Sequence, residues 1–501
     1  MTIYNINKGL GWASSGVEYA QAYRSKIFNQ ANIPAKFIFT DLFTGENIQH
    51  LSKNIGFNDK DIIWLYQFFS DIPIAETTYT ISDFKHGLKQ TVIKEERDGK
   101  IYRWFLSGDK NYFTGYLTND EDDYLQRVEF VQNGILIRKD YYSFTRIFSE
   151  YFLPYQQQAT VYQRRFFNED GTTALEEIVD GKSSIFLVNN KIFYSKEKFI
   201  GYFISQLNLK AQDIVIVDRA TGIAQAVLDN KGSAKVGTVV HAEHFNEPTS
   251  TDKHISWNNY YEYQFTNRHA MDFFITATKA QKNLIERHFD REDGSKSNIF
   301  AIPVGALETL KKPDSDRKPY SIITASRLAE EKHIDWLIQA IIDLKPIYPK
   351  ITLDIYGEGG SKQKLKQLIE EGNASDYIKL KGHANLKNIY QKYELYLSAS
   401  TSEGFGLTLM EAVGSGLPII GFDVRYGNMT FIRNDENGFL LPFEDISNKQ
   451  HYIRQLTDTL NHFFQTDIEK AHEISYQVAE EFLEKHVQAK WENLVKELLD
   501  D

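Results

Sequence analysis

The chain of 501 residues contains no cysteine, which excludes a disulfide framework and any thiolate metal site. It also lacks an apolar run near the roughly eighteen residues of a membrane span. Its first residues, Met1-Thr2-Ile3-Tyr4-Asn5, lead straight into strand-like sequence with neither the basic region nor the apolar stretch of a secretion signal. The expectation is a cytoplasmic protein, with docking at the inner face of the membrane through a partner left open. Basic residues are in deficit: 57 Lys and Arg against 68 Asp and Glu give a net charge of −11. Nucleic acid is therefore not the expected main partner, since phosphate backbones call for a basic face. What the chain does have is length, enough for two or three well-buried domains.

The most informative stretch runs from Leu397 through Ser-Ala-Ser-Thr-Ser to Glu403-Gly-Phe-Gly-Leu-Thr-Leu-Met-Glu411. Apolar residues 395–397 read as the end of a buried strand, the Ser/Thr/Gly run as a tight loop, and Leu407 onward as a helix. The loop thus empties onto a helix start, where unpaired N–H groups and the positive end of the helix dipole favour an anion such as a pyrophosphate. Gly404 and Gly406 let such a group approach the backbone. Glu403 precedes the helix, and Glu411 lies about five residues inside it, roughly 7 Å along the axis. Two carboxylates so placed suit hydroxyl groups on either side of a diphosphate. Each glutamate taken singly reads equally well as a surface or first-turn acid.

A second glycine-rich loop, Gly9-Leu-Gly11-Trp-Ala-Ser14-Ser15-Gly16-Val17-Glu18, follows the first strand candidate, Ile3-Tyr4-Asn5-Ile6. Ser15-x-x-Glu18 has capping-box spacing, and Val17, Ala20, Ile27 and Ala31 predict one buried helix face. From about 46 to 195 the texture changes. Turn signals at Asp98-Gly99, Asn133-Gly134 and Asp170-Gly171 separate aromatic, β-prone runs and predict an antiparallel meander. The βαβ rhythm resumes with apolar runs at 213–217 and 236–240. The latter ends in His241-Ala-Glu-His244, at the carboxyl end of a strand, where open α/β sheets place their ligands. A histidine there can hydrogen-bond a sugar hydroxyl, or merely cap a loop; no third ligand stands nearby to make a metal site.

The polar segment 311–319 reads as a linker. Asp314-x-Asp316 within it is taken as solvated charge, so no metal and no cofactor is expected. The strand candidate 320–324 then leads into Ala325-Ser-Arg327-Leu-Ala-Glu-Glu-Lys332 and a helix burying Ile334, Leu337, Ile338, Ile341 and Ile342. Further strand and loop units follow at 353–360 and 378–384, and the tail helix aligns Val487, Trp491, Leu494, Val495 and Leu498 on one face.

Glu403-x7-Glu411 with Gly-Phe-Gly between them, preceded by Arg327-x4-Lys332, resembles the donor-site pattern of retaining glycosyltransferases of the GT-B architecture. The resemblance implies an α/β fold of two Rossmann-like domains facing a cleft (1–45 with 196–312, and 319–480), a β-rich insertion at 46–195 for acceptor or partner binding, and a crossover helix at 481–501. It also implies a UDP-sugar donor. Glu403 and His241 would contact the sugar, Arg327 and Lys332 the phosphates, and the loop Gly404, Phe405, Gly406, Leu407 and Thr408 the sugar and phosphate through its amides. Glu411 would hold the ribose, His383 and Ala384 the uracil, and Gly16, Val17, Glu18 and Tyr19 the nucleotide from the other domain.

The opening Gly-Trp-Ala-Ser-Ser-Gly-Val-Glu-Tyr-Ala, the insertion and Val240-His-Ala-Glu-His244 together resemble the catalytic subunits of the two-subunit transferases that glycosylate serine-rich repeat adhesins of Gram-positive bacteria before accessory secretion. This implies transfer of N-acetylglucosamine from UDP-GlcNAc to Ser/Thr hydroxyls, alongside a paralogous non-catalytic subunit. UDP-glucose as donor, a lipid or small-glycan acceptor, a pyridoxal-dependent phosphorylase and a non-enzymatic partner subunit are the alternatives. The last of these should lack Arg327, Lys332 or the glutamate pair, all present here.

Overall fold

The structure, a computed structural model, describes residues 1–10, 16–108, 110–156, 158–251, 254–444 and 446–499. The chain divides into two compact units, residues 1–238 with 263–272, and residues 239–262 with 273–501.

The first unit contains two sheets. One is parallel, with strands Ile62–Trp64, Ala35–Phe39, Ile3–Asn7, Ile214–Val217 and Lys235–Val240 in that order across it; the last two residues of Lys235–Val240 fall in the second unit. Ile214–Val217 is wholly buried, as its continuous apolar sequence requires of a strand covered on both faces. The helix Gly16–Gln30 follows the first strand, but its buried face differs from the expected one. It carries Glu18, Gln21, Arg24 and Ser25 beside Ala20, Ile27 and Phe28, while Val17 stays half-buried and Ala31 follows the helix. The reason is polar and long-range. The Arg24 guanidinium donates to both carboxylate oxygens of Asp218, 2.9 and 2.8 Å away, and to Asn5 Oδ1 at 2.8 Å. The capping box assigned to Ser15 lies outside the described residues.

The other sheet is antiparallel and ten-stranded, from Lys94–Asp98 to Lys191–Phe193, each strand paired with its neighbour in sequence. This is the meander that the turn signals predict. At Asn133-Gly134 both residues have positive φ, 51° and 76°, as a tight hairpin turn demands. Much of its aromatic content is core. Trp104, Phe113 and Phe130 pack around Phe84. Trp64 and Tyr66 meet Phe166 at ring-centroid distances of 6.0 and 5.2 Å, joining the two sheets in one aromatic layer.

The second unit holds a six-stranded parallel sheet ordered Ile378–Gly382, Thr352–Tyr356, Ser321–Ala325, Leu395–Leu397, Ile419–Phe422 and Gly438–Leu441. The parallel pair Phe273–Thr276 and Ile299–Ala301 also lies in the second unit, outside that six-stranded sheet. Helix Ile334–Leu344 buries Ile334, Leu337, Ile338 and Ile341, and the tail helix Glu484–Leu499 buries Val487, Trp491, Leu494 and Leu498, as their periodicity predicts, while Ile342 and Val495, expected on the same faces, are only half-buried. The order places Ser321–Ala325 and Leu395–Leu397 side by side at the centre. The loops that leave their carboxyl ends, carrying Arg327 and Lys332 in one case and Glu403 in the other, are therefore neighbours.

Candidate functional site

Leu395–Leu397 is fully buried and releases the chain into the loop 398–406, after which Leu407–Gly414 forms the helix. Gly406, at φ 85°, is the helix N-cap and supplies no side-chain hydrogen bond. The first amides of the helix are thus left to whatever ligand reaches them. Thr408 Oγ1 is held 3.0 Å from the Tyr396 hydroxyl, which donates to the carbonyl of Ala325 at 2.8 Å. One buried phenol therefore ties the helix start to the end of the neighbouring strand.

Glu403 is fixed at both its backbone and its carboxylate. The Lys332 ammonium donates to Oε2 at 2.7 Å. The amides of Tyr426 and Gly427 both donate to the Glu403 carbonyl, at 2.6 and 2.8 Å, and its own amide donates to Arg425 at 3.3 Å. The approach is close enough to dictate residue type. A Cβ on Gly427 would stand 2.3 Å from the Phe405 carbonyl oxygen, and one on Gly404 would stand 2.7 Å from the His241 carbonyl oxygen. Only glycine at 404 lets the loop lie against the end of the His241 strand. The amides of His241 and Ala242 both donate to the Tyr261 hydroxyl at 3.0 Å, and Gln281 donates to the Ala242 carbonyl at 2.8 Å.

Arg327 is placed differently from Lys332. Its side chain is 79 % exposed and pairs with Glu331 at 3.1 Å. The backbone beneath it is nevertheless firmly set. Leu328 donates to Glu358 and accepts from Ser361, both at 2.9 Å, and a Cβ on Gly357 would collide with the Ser326 carbonyl. The guanidinium is an exposed cation on a fixed stem. Glu411 lies one turn into the helix and accepts from the Tyr390 hydroxyl at 3.1 Å; burial pushes its carboxyl above the usual range, while that bond pulls it back. His383 is exposed and Ala384 half-buried, directly after Gly382, whose carbonyl accepts from the Gly357 amide at 2.9 Å.

Residues 94–190 match the family model of the GtfA extended beta-sheet domain, and residues 307–479 that of glycosyl transferases group 1. Along its whole length the chain is 52 % identical to the UDP-N-acetylglucosamine–peptide N-acetylglucosaminyltransferase GtfA subunit of Streptococcus gordonii, covering 99 % of that protein. The crystal structure of the pneumococcal O-GlcNAc transferase GtfA in complex with UDP and GlcNAc is similar with a TM-score of 0.94 at 47 % identity, over 100 % of this chain and 99 % of that one. A GtfA/B complex structure contains a chain similar at a TM-score of 0.95 and 51 % identity, each covered in full. The chain belongs to the GtfA family. It is a glycosyltransferase with the GT-B fold.

Within the second unit, then, the fold of this GtfA-family chain brings together Lys332, Glu403, the Gly404–Thr408 amides and the His241 backbone. Arg327 and Glu411 stand on the adjoining loop and helix. Gly16, Val17, Glu18 and Tyr19 belong to the first unit, where Glu18 is buried against Arg219 at 3.1 Å and Tyr19 is exposed. Sequence reasoning missed Tyr426, Gly427, Glu243, His244 and His288. His244 has no exposed surface, and Tyr426 has 1 %. Glu243 and His244 stand in the Val240-His-Ala-Glu-His244 motif without a role of their own there, and nothing in the sequence singles out Tyr426, Gly427 or His288. Among the described residues no cluster of metal-ligating side chains occurs.

Proposed function

We propose that this chain is the catalytic subunit of a transferase that moves N-acetylglucosamine from UDP-GlcNAc to Ser/Thr hydroxyls of a serine-rich adhesin polypeptide in the cytoplasm, with retention at the anomeric carbon, alongside a paralogous non-catalytic subunit. The observation that carries this reading is the Lys332–Glu403 pair at the mouth of an uncapped helix start. A cation from one loop there meets an acceptor for sugar hydroxyls and a row of free amides on its neighbour. The relatives agree: one was solved with UDP and GlcNAc, another in a GtfA/B complex. The printed name of the Streptococcus gordonii relative, a peptide N-acetylglucosaminyltransferase subunit, supports a polypeptide acceptor over a small glycan, and we assign its binding to the extended β-sheet.

In this reading the acceptor oxygen bonds to the anomeric carbon on the face from which the diphosphate departs. The bond from that carbon to the β-phosphate oxygen breaks, and the acceptor proton passes to the departing phosphate. Negative charge grows on the β-phosphate as this happens. Lys332 and the amides of Gly404, Phe405, Gly406, Leu407 and Thr408 meet it from fixed positions, and Arg327 swings from Glu331 to join them. Glu403 and His241 orient the sugar, and Glu411 takes the ribose. His383 and Ala384 are assigned to the uracil, and Gly16, Val17, Glu18 and Tyr19 of the first unit to the nucleotide.

The deciding experiment incubates the protein with a panel of UDP-sugars and a Ser/Thr-rich polypeptide, with and without the partner subunit, and weighs the product. One N-acetylhexosamine per modified site is expected from UDP-GlcNAc alone. A mass gain only from UDP-glucose would overturn the donor, and no gain from any UDP-sugar would overturn the reading.

A further inference from the structure

Glu403 and His241 lie far apart in sequence, and the Tyr426 side chain reaches from the segment bridged to Glu403 to the one that follows His241. The backbone of Tyr426 forms a short parallel bridge with Glu403, and Gly427 beside it allows no side chain. Its ring points the other way. The hydroxyl is hydrogen-bonded to the Glu243 carboxylate and lies 3.0 Å from His244 Nδ1, two and three residues beyond His241. His244 Nε2 in turn lies 3.1 Å from His288 Nδ1 on the helix Lys279–Asp293.

The protons in this row can be ordered from chemistry. Burial holds His244 down to about 2 and His288 down to about 4, so both imidazoles are neutral at neutral pH and each carries one N–H. The carboxylate of Glu243 only accepts, so the phenol donates to it. The phenol oxygen then accepts from His244 Nδ1–H, and His244 Nε2 accepts from His288 Nδ1–H. Every donor has an acceptor, and the row runs in one direction with the Arg425 guanidinium 3.6 Å from its carboxylate end. A chain of this kind, fully paired in a buried setting, is rigid.

We propose that Tyr426 is a positioning residue that sets the distance between Glu403 and the His241 loop, with Glu243, His244 and His288 locking its hydroxyl. The role rests on the transferase reading above, in which Glu403 and His241 hold the same sugar. Tyr426 touches neither donor nor acceptor. Its loss shifts the sugar against the phosphates without removing any group that binds the nucleotide.

The test compares Tyr426→Phe, Glu243→Ala and Glu243→Gln with the wild type in UDP-GlcNAc turnover, UDP affinity and pH dependence. In Tyr426→Phe, kcat falls about 10- to 100-fold while KM for the donor and the affinity for UDP stay within about twofold. Glu243→Ala reproduces that loss with the phenol intact, and Glu243→Gln, which keeps an acceptor for it, restores kcat to within about threefold. Around Glu243 stand Tyr426, Arg425, His244 and Glu247; the phenol favours its charged form, burial its neutral one. The acid limb of kcat therefore moves to higher pH in Tyr426→Phe and is lost in Glu243→Gln. An inactive wild type overturns the transferase reading and this role with it. An active wild type whose Ala and Gln variants at Glu243 turn over alike, or whose Tyr426→Phe variant keeps kcat and acid limb, overturns this role alone.

Discussion

In the six-stranded sheet of the second unit, Ser321–Ala325, Leu395–Leu397 and Ile419–Phe422 are buried along their whole length. In the ten-stranded sheet of the first unit, buried residues are interspersed with half-buried and exposed ones, as in Leu125–Gln132 and Thr173–Asp180. The consequence for polar groups is direct. A parallel strand covered on both faces has nowhere along its length to keep a charge, so Lys332, Arg327 and Glu403 sit in the loops where the strands end, and Lys332 meets Glu403 there at 2.7 Å. The antiparallel sheet keeps charges along its faces. Arg164 bridges Glu150 and Glu177 at 2.8 and 3.0 Å, and Arg127, Arg138 and Arg146 lie about 4 Å over the rings of Tyr116, Phe130 and Phe167. One arrangement concentrates chemistry, and the other spreads a surface.

Removing a cation from each region breaks the contrast hardest. Lys332→Ala should lower kcat and kcat/KM together by about 10³-fold, about 4 kcal/mol of transition-state stabilisation. Its effect on the denaturant midpoint should stay near 1–2 kcal/mol, because the pair is partly open to water, with side chains 13 % and 22 % exposed. Arg164→Ala should do the reverse. It strands two carboxylates that are 7 % and 4 % exposed and should cost about 3 kcal/mol of stability, with turnover per folded molecule changed less than about twofold. Equal kinetic losses in the two variants would remove the distinction.

Acid sharpens the same comparison. Among the described residues every buried histidine, His244, His288, His333 and His472, lies in the second unit. Burial holds His472 down to about 4, helped by the nearby Arg317 guanidinium, while its Nδ1 sits 2.6 Å from the Gly416 carbonyl. Its folded-state value lies below the unfolded one, so its contribution is complete above about pH 6.5 and is lost as the pH falls and the unfolded chain takes up a proton the folded one refuses. By pH 5 the loss should be about 1–2 kcal/mol from this residue. Hydrogen exchange at 410–420 and 470–480 should accelerate between pH 7 and pH 5 after correction for intrinsic rate. His472→Gln, which keeps a donor for Gly416, should flatten that change.

How much of this was legible depends on the range over which each residue finds its partner. The parallel strands could be read because a short continuous apolar run is itself the signal for a strand covered on both faces. The meander could be read because Gly99, Gly134 and Gly171 mark its turns locally. The helix face at Gly16–Gln30 was misread because Arg24 is buried by Asp218, 194 residues away, and periodicity counts an arginine as surface. Tyr426 left no trace for the same reason, its partner Glu243 being 183 residues distant. Arg327 and Lys332 were found as a pair, yet one is anchored to Glu403 and the other extends into water. Spacing along a loop does not encode that difference.

The smallest effect is expected where the antiparallel sheet meets solvent. Leu153 and Tyr155 are 53 % and 63 % exposed, and register pairs Tyr155 with Gln158 near the end of the hairpin formed by Arg146–Tyr155 and Gln158–Phe167. A ring that is mostly wet in the folded state contributes little burial, so Tyr155→Ser should alter the unfolding free energy by less than about 0.5 kcal/mol. Donor affinity should be untouched, because no group of the second unit changes. If the sheet receives the polypeptide, as proposed, the one quantity that moves is the acceptor KM. It should rise by about threefold, the loss of one aromatic contact at a wet surface. A threefold fall in kcat with the acceptor KM unchanged would instead mean that the sheet and the donor loops do not divide the work, and would erase the contrast between surface and point site.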